Sequence, residues 1–266
     1  MFAAIDLDSF IYRVGFATQK RVYDLWQGAE YTRYASLEEA EAALLLDGDG
    51  KIEPAVAVEA AGLARYNLKS MIKRAITGTN ATEYKIYLTG KDNFRLKIDP
   101  EYKAHRKDAE RPVHYAILRE YAVENWGAKV IDGMEADDAV SIVHMRRYSK
   151  NPESSMICSN DKDLLGVPGY HYNYVSQETI FVSPLDSLRN YFAQVLAGDA
   201  ADNVKGIPGI GPKKAAKALA PCHTGKDMLH IVKEAYKEAG MEAKLETNLK
   251  LLWMLREKGD SYERWI

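Results

Sequence analysis

The chain alternates short apolar runs with longer segments whose apolar residues recur at helical spacing. Phe2 to Ile5 is apolar and ends in Asp6-Leu7-Asp8-Ser9, which predicts a strand followed by an Asp/Ser helix start. Residues 10–17 continue as a helix. Residues 18–54 carry no clear period, with turn chemistry at Asp47-Gly48-Asp49-Gly50. Over residues 55–77, Ala57, Ala61, Ala64, Leu68, Ile72 and Ile76 predict one long helix, and Arg65, Lys69 and Lys73 lie four apart on another of its faces. Tyr84 to Leu88 predicts a second strand. A polar, charged stretch covers 89–112, and a helix follows over 113–126. Lys129 to Ile131 predicts a third strand. Glu135 to Tyr148 predicts a helix with Ala136, Ala139, Val140 and Val143 as its apolar stripe. Ser155 to Cys158 predicts a fourth strand, closed by Asn160-Asp161-Lys162-Asp163. His171 to Val175 and Thr179 to Val182 predict a strand pair, and the pattern after Pro184 is mainly helical.

Strands alternating with helices predict an α/β fold, a three-layer, mostly parallel sheet of PIN-like type. The expected division is an α/β core over residues 1–183 and a helical region over 184–266. Ligands of such sheets bind beyond the carboxyl ends of the strands. The acids fall there: Asp6 after the first strand, Glu135 to Asp138 after the third, Asp161 and Asp163 after the fourth.

Composition narrows the class. With 47% hydrophobic and 28% charged residues, the 266-residue chain is an ordinary globular mixture, large enough for one domain with a small appendage. No apolar run is long enough for a membrane helix, and Met1 to Ile5 lacks the basic start and cleavage site of a secretory leader, so the expectation is cytoplasmic and without a membrane partner. Cys158 and Cys222 form no metal-ligand pair and no disulfide framework. Net charge is −2, which argues against a nucleic-acid partner until the acids are sorted. Setting aside the eight carboxylates described next leaves +6, a surface that suits a polyanion.

Four short acidic motifs stand at strand ends or loop–helix junctions: Ile5-Asp6, Glu135-Ala136-Asp137-Asp138, Asp161-Lys162-Asp163 and Asp199-Ala200-Ala201-Asp202. Singly, each reads as a helix N-cap or as acids favoured by a helix dipole, and Asp8 with Ser9 is assigned to capping. Jointly they predict a carboxylate cluster, which is costly without cations because like charges repel in a partly dry site. Carboxylates suit Mg²⁺ or Mn²⁺, and two such ions can clamp the attacking and leaving oxygens of a phosphodiester. The run Leu46-Asp47-Gly48-Asp49-Gly50-Lys51-Ile52-Glu53 imitates a calcium loop. Aligning Gly50 to its glycine puts Leu45 and Val56 at ligand positions, so it reads as a surface turn.

Two further segments point to nucleic acid. Gly206-Ile207-Pro208-Gly209-Ile210-Gly211-Pro212-Lys213-Lys214 has the pattern of a helix-hairpin-helix: Gly206, Gly209 and Gly211 permit a tight turn and close backbone approach. Pro212 opens a helix, and Lys213 and Lys214 add charge at its amide end. In Asp99-Pro100-Glu101-Tyr102-Lys103-Ala104-His105-Arg106-Lys107, Tyr102 is a candidate base-stacking residue and Lys103, Arg106 and Lys107 are candidate phosphate contacts. Basic and acidic residues balance over 99–111, so a solvated loop is the plain alternative.

These residues resemble the bacteriophage 5′–3′ exonucleases and flap endonucleases, kin to the 5′-nuclease domain of bacterial DNA polymerases. Phe94-Arg95, Tyr102-Lys103-x-x-Arg106, Glu135-Ala136-Asp137-Asp138, Asp161-Lys162-Asp163 and Gly198-Asp199-x-x-Asp202-Asn203-x-x-Gly206 follow in family order, and Gly240-Met241 with the helix through Leu255 resembles the tail of the short phage enzymes. The resemblance implies phosphodiester hydrolysis, from a 5′ end or at a 5′ flap, that leaves 5′-phosphorylated products. It implies two Mg²⁺ ions, replaceable by Mn²⁺: Asp6, Glu135, Asp137 and Asp161 would serve a first site, and Asp138, Asp163, Asp199 and Asp202 a second site or its surroundings. It implies a helical arch over about 95–126, with Tyr102, Lys103 and Arg106 at its base and Arg95 and Lys107 among the DNA contacts. The helix-hairpin-helix would hold the adjoining duplex, with K⁺ as a candidate ion there. An RNA primer is a candidate substrate strand, a monomer the expected state, and the cytoplasm of an infected bacterium the implied setting.

One departure stands out. The family places another aspartate just after the second strand, and counting back from Phe94-Arg95 puts it on Gly90, leaving Asp92 as a candidate substitute. Residues 18–54 have no alignable counterpart. Other readings are a compact PIN-like ribonuclease, which would lack the Tyr102 segment and the helix-hairpin-helix; a non-catalytic structure-specific DNA-binding protein, which would have shed several acids; and a base-excision glycosylase, which would need no carboxylates at several strand ends.

Overall fold

The computed structural model describes residues 1–106 and 109–266. Along the chain run β1 (Phe2–Asp6), α1 (Asp8–Ala17), β2 (Gln19–Gln27), β3 (Glu30–Tyr34), α2 (Leu37–Asp47), β4 (Lys51–Val58), α3 (Ala61–Gly78), β5 (Glu83–Asn93) and α4 (Arg95–Ile98). Then follow α5 (Tyr115–Trp126), β6 (Lys129–Gly133), α6 (Ala136–Tyr148), β7 (Ser155–Cys158), β8 (Gly169–Asn173), β9 (Glu178–Val182) and α7 (Pro184–Ala197). The chain ends with β10 (Gly198–Asp199), β11 (Val204–Lys205), α8 (Pro212–Leu219), α9 (Gly225–Glu238) and α10 (Glu242–Leu252). Among these described residues no helix is long and apolar enough to cross a membrane.

Two compact units divide the chain. The first comprises residues 1–9, 72–110 and 122–266, and the second 10–71 and 111–121. The expected boundary at 183/184 falls inside the first unit. The physical reason is one shared apolar core: Tyr102 and Ile142 are buried together with Leu188, Phe192 and Val195 of α7, Ala215 and Leu219 of α8, and Val232 and Tyr236 of α9.

The first unit is built on a six-stranded sheet in the order β6-β5-β1-β7-β8-β9. Every pairing from β6 to β8 is parallel, and only the edge strand β9 runs antiparallel. β1 is buried along its whole length, as a central parallel strand covered on both faces must be. Phe2 and Ala4 face α6 with Ala139, Val140 and Val143. The end of α3 lies on the opposite face, where a Cβ on Gly78 would meet the Tyr172 ring of β8 at 2.3 Å. These are the three expected layers. β5 and β7 flank β1 on its two sides, so successive connections leave β1 in opposite directions. The crevice at the end of β1 is therefore the topological switch point of the sheet.

In the second unit, residues 18–58 are more regular than their sequence suggests. β3, β2 and β4 form an antiparallel sheet in that order, with Asp24 and Arg33 as cross-strand partners joined by two hydrogen bonds of 2.7 and 2.8 Å. α2 begins on a Ser36–Glu39 capping box and ends on the left-handed Gly48, so the calcium-loop imitation is a helix C-cap and turn. The predicted helix over 55–77 begins later, at Ala61. Ala57 belongs to β4, where it pairs with Lys20 of β2. Cross-strand pairing overrides helical spacing there, and Pro54 is tolerated because β4 is an edge strand.

Candidate active site

The carboxylates are delivered by the sheet. Asp6 is the last residue of β1, Glu135 caps α6 after β6, Asp161 caps the short 3-10 turn Lys162–Gly166 after β7, and Asp199 and Asp202 belong to the β10–β11 turn. Each is fixed locally. Asp6 accepts from the Asp8 amide and the Ser159 hydroxyl, both at 3.1 Å. Asp161 accepts from the Asp163 amide at 2.9 Å, and Asp199 from the amides of Ala201 and Asp202 at 2.7 and 3.3 Å. The β10–β11 turn closes because Gly198 and Gly206 lie back to back: a Cβ on Gly206 would sit 2.1 Å from the Ala197 carbonyl carbon and 2.2 Å from the Gly198 nitrogen.

Electrostatics divides the acids into two groups. Burial pushes Asp6 up to about 7, with the charge of Asp8 and then Asp161 adding to it. Asp137 is also raised by burial and by the charges of Asp6, Asp161 and Glu135. Asp163 is raised to about 7 by burial and by Asp161 and Asp199. The others sit beside cations. Burial would raise Glu135, but Lys103 and Arg95 outweigh it and hold it below the usual range. Asp199 is likewise lowered against its burial by Lys162 and Gln194. One face of the crevice is therefore a repelling acid set around Asp6, Asp137 and Asp161. The other is an acid set interleaved with basic and amide groups.

Those groups come from three places. Lys103 reaches Glu135 and stands 3.5 Å from Asp202, and Arg106 donates to Asp202 at 3.1 Å. Lys103 has a left-handed backbone, φ +53°, and its amide donates to the Asp202 carbonyl at 2.9 Å. That conformation costs a non-glycine residue roughly 1 kcal/mol, which the contacts must offset. Lys162 donates to Asp199 at 2.9 Å, and the Gln194 amide donates to Asp163 at 2.8 Å and to Asp199 at 2.9 Å. Among the described residues no three acids stand at metal-ligating separation. The donor set is all carboxylate and its free face repels itself, which fits a hard divalent cation.

Several predicted residues have other places. Asp138 is fully buried, its two oxygens taken by the Arg95 guanidinium, the Glu135 amide and the Leu255 amide. It is a structural counter-charge and does not face the crevice. Arg95 is 1% exposed and donates also to the carbonyls of Leu251 at 2.8 Å and Trp253 at 2.9 Å, so it cannot touch DNA. The Tyr102 ring is buried, with its hydroxyl 2.9 Å from Glu135 and 2.7 Å from Asp202, which excludes stacking on a base. Asp92 is exposed and outside the crevice lining. At Gly90 a Cβ would lie 2.0 Å from Asp132 Oδ1, so no side chain fits. Lys107 lies outside the described residues. Sequence reasoning passed over Gln194, which carries no motif signal, and Ser159 and Lys162, which adjoin one.

The hairpin 206–211 leads into α8. Gly209 has φ +79°, Gly211 is the extended residue before Pro212, and Lys213 and Lys214 are exposed on the first turn, Lys214 donating to the Gly209 carbonyl at 2.8 Å.

The family model for the 5′-3′ exonuclease, N-terminal resolvase-like domain, matches residues 57–186. The chain is 31% identical over 140 residues to DNA polymerase I of Rhizobium leguminosarum, covering 47% of this chain and 14% of that protein. It is 26% identical over 191 residues to the flap endonuclease Xni of Shewanella sp. (strain MR-4), covering 60% of this chain and 72% of that protein. The chain spans only 14 to 21% of the DNA polymerase I relatives it matches. Among solved structures, T5 5′-exonuclease with bound zinc aligns at a TM-score of 0.51 and 19% identity, covering 71% of this chain and 80% of that one. That likeness is one of fold. With acids at the switch point of the sheet, the match over residues 57–186 and the likeness to flap endonuclease Xni support the 5′-nuclease family.

Proposed function

We propose that this protein is a divalent-metal-dependent 5′–3′ exonuclease and 5′ flap endonuclease that hydrolyses DNA phosphodiesters to 5′-phosphorylated products. The observation that carries the reading is the crevice itself: a self-repelling set of carboxylates faces Lys103 and Arg106 at the switch point of the sheet. Asp6, Glu135, Asp137 and Asp161 would hold one ion, and Asp163, Asp199 and Asp202 a second or its outer ligands. Bound Mg²⁺ or Mn²⁺ would supply charge neutralisation for an in-line displacement at phosphorus.

The chain's own groups do the rest. Lys103 and Arg106 are cations held at the crevice by carboxylates, so a phosphate entering there offers them a competing anion. Arg106, with a side chain about half exposed, is the more accessible. Their donors would bind the scissile phosphate and stabilise its developing charge. The Tyr102 hydroxyl holds Glu135 and Asp202 together, and Ser159 orients Asp6. Gly209, Gly211, Lys213 and Lys214 would grip duplex backbone without reading bases, with K⁺ as the candidate ion in the hairpin. Gly206 would act by closing the turn beneath them. The substrate is DNA with a 5′ end or flap, including an RNA-primed strand, and the enzyme acts as a monomer in the cytoplasm.

The test is cleavage of a 5′-labelled flap duplex in Mg²⁺, Mn²⁺ or EDTA. Cutting in the first two and none in EDTA is expected; cutting in EDTA, or none with either ion, rejects the reading. Asp161→Asn abolishes cleavage and leaves DNA binding.

A further inference from the structure

Across the wall that Asp161 and Lys162 give to the acid crevice lies a second cavity, of about 180 Å³. It holds far more than the roughly 10–15 Å³ that one water needs. Much of its lining is one face of the β8–β9 hairpin. The register pairs His171 with Ile180 and Asn173 with Glu178, and the alternation along each strand puts all four on the same face. Lys162 and Leu165, from the 3-10 turn after β7, join them. The proposed chemistry in the crevice uses none of the hairpin groups.

The hairpin face offers acceptors. His171 is 6% exposed, and its Nε2 lies 2.8 Å from the Val167 carbonyl. A carbonyl only accepts, so Nε2 carries the proton. Burial holds the imidazole below its ordinary value, at about 4, so the ring is neutral at pH 7. Nδ1 is then a lone pair without a partner among the described residues, on a ring that lines the cavity. The Glu178 carboxylate, in the same lining, likewise has no partner among the described residues. Leu165 and the 48% exposed Ile180 supply apolar surface. A site of that chemistry suits a flat ring whose edge donates hydrogen bonds, a nucleobase with an exocyclic amino group. Lys162 lines both cavities, its side chain 71% exposed and its ammonium 2.9 Å from Asp199. A phosphate at Lys162 would therefore stand between the crevice and the base.

We infer that this cavity is a base-reading subsite: it takes one nucleobase beside the cleaved bond, with His171 and Glu178 accepting from its amino group and Lys162 holding the joining phosphate. The inference rests on the nuclease reading above. It makes cleavage favour cytosine over thymine at that nucleotide, because thymine presents a carbonyl where cytosine presents its amino group. Glu178 sets specificity and takes no part in the chemical step.

The experiment compares kcat/KM in Mg²⁺ for flap duplexes that carry cytosine or thymine at the nucleotide on either side of the cleaved bond, matched in the template wherever paired. Wild type and Glu178→Gln are measured, with melting curves to confirm folding. Differences in base pairing affect both proteins alike and cancel when their cytosine-to-thymine ratios are compared. At one of the two positions wild type should favour cytosine by about tenfold, the scale of a good base-edge contact. Glu178→Gln puts an amide in place of the carboxylate and should bring that ratio close to one. A merely structural role for Glu178 would lower both rates and leave the ratio unmoved. A wild-type preference below about threefold at both positions overturns the inference. A preference that Glu178→Gln retains overturns it too, because the base would then be read elsewhere. A wild-type protein that cuts none of these duplexes rejects the nuclease reading itself, and the inference with it.

Discussion

Adjacent aspartates in Glu135-Ala136-Asp137-Asp138 have opposite fates, and the difference can be measured. Asp138→Asn would leave the Arg95 guanidinium buried without its full counter-charge, a change that typically costs about 3–5 kcal/mol. Denaturant unfolding should show that loss, and any fall in cleavage should track the folded fraction. An Asp138→Asn protein as stable as wild type would contradict the pairing. Asp163 should behave in the opposite way. Its folded-state value is raised to about 7 from an ordinary 3.8, so stability present at low pH is lost as pH rises through 7. Asparagine mimics the protonated acid and keeps an oxygen for Gln194. In EDTA, Asp163→Asn should therefore melt higher than wild type at pH 8, by up to a few kcal/mol, and by clearly less at pH 5, where only part of that stability has been lost. A shift of the same size at both values would reject that cause. The acids were legible as a group because each stands at a strand end. Their division was not, since burial decides it. Helical geometry gives a partial clue: neighbours on a helix point about 100° apart, so Asp137 and Asp138 cannot both enter one crevice.

Elements were legible wherever one period dominated. β1, β5, β6, α6 and β7 lie close to their expected places, and they position Asp6, Glu135, Asp137 and Asp161. The segment 18–58 was illegible because its order comes from pairing between strands far apart in sequence, such as Gln19 with Val58, and no local period records that. The close glycines are an intermediate case. Gly198 and Gly206 stood out as motif letters, but only the structure shows that they touch. Gly206→Ala would push its Cβ into the backbone at 197–198 and force β10 from β11. Expected are a loss of about 1–3 kcal/mol, the usual scale of overpacking, and weaker divalent-ion binding, because Asp199 and Asp202 ride on that turn. Gly209→Ala meets no neighbour, and only the left-handed backbone opposes it, so about 1 kcal/mol and unchanged ion binding should result. Similar ion binding in both variants would show that the turn does not set the acids.

For the whole molecule, charge is the quantity that must reconcile a net −2 with a DNA substrate. Removing Asp138 from the acid set as Arg95's partner leaves seven crevice carboxylates, and the rest of the chain is still net basic at +5. Lys213, Lys214 and the exposed row Arg65, Lys69 and Lys73 belong to that basic remainder. The crevice acids repel a phosphate as strongly as they attract a cation, so divalent ions should raise DNA affinity as well as permit cleavage. The clean measurement is fluorescence anisotropy of a flap duplex on Asp161→Asn protein, with Mg²⁺ against EDTA at constant ionic strength. Affinity should rise with Mg²⁺ by about tenfold or more, equivalent to about 1.4 kcal/mol. Lys213→Ala should lower affinity in both conditions and reduce the salt slope by about one, because it would remove one phosphate contact remote from the ions. DNA affinity indifferent to Mg²⁺ would mean that the acids do not face the phosphate, whatever else they bind. An unchanged salt slope in Lys213→Ala would take the α8 hairpin out of the DNA interface.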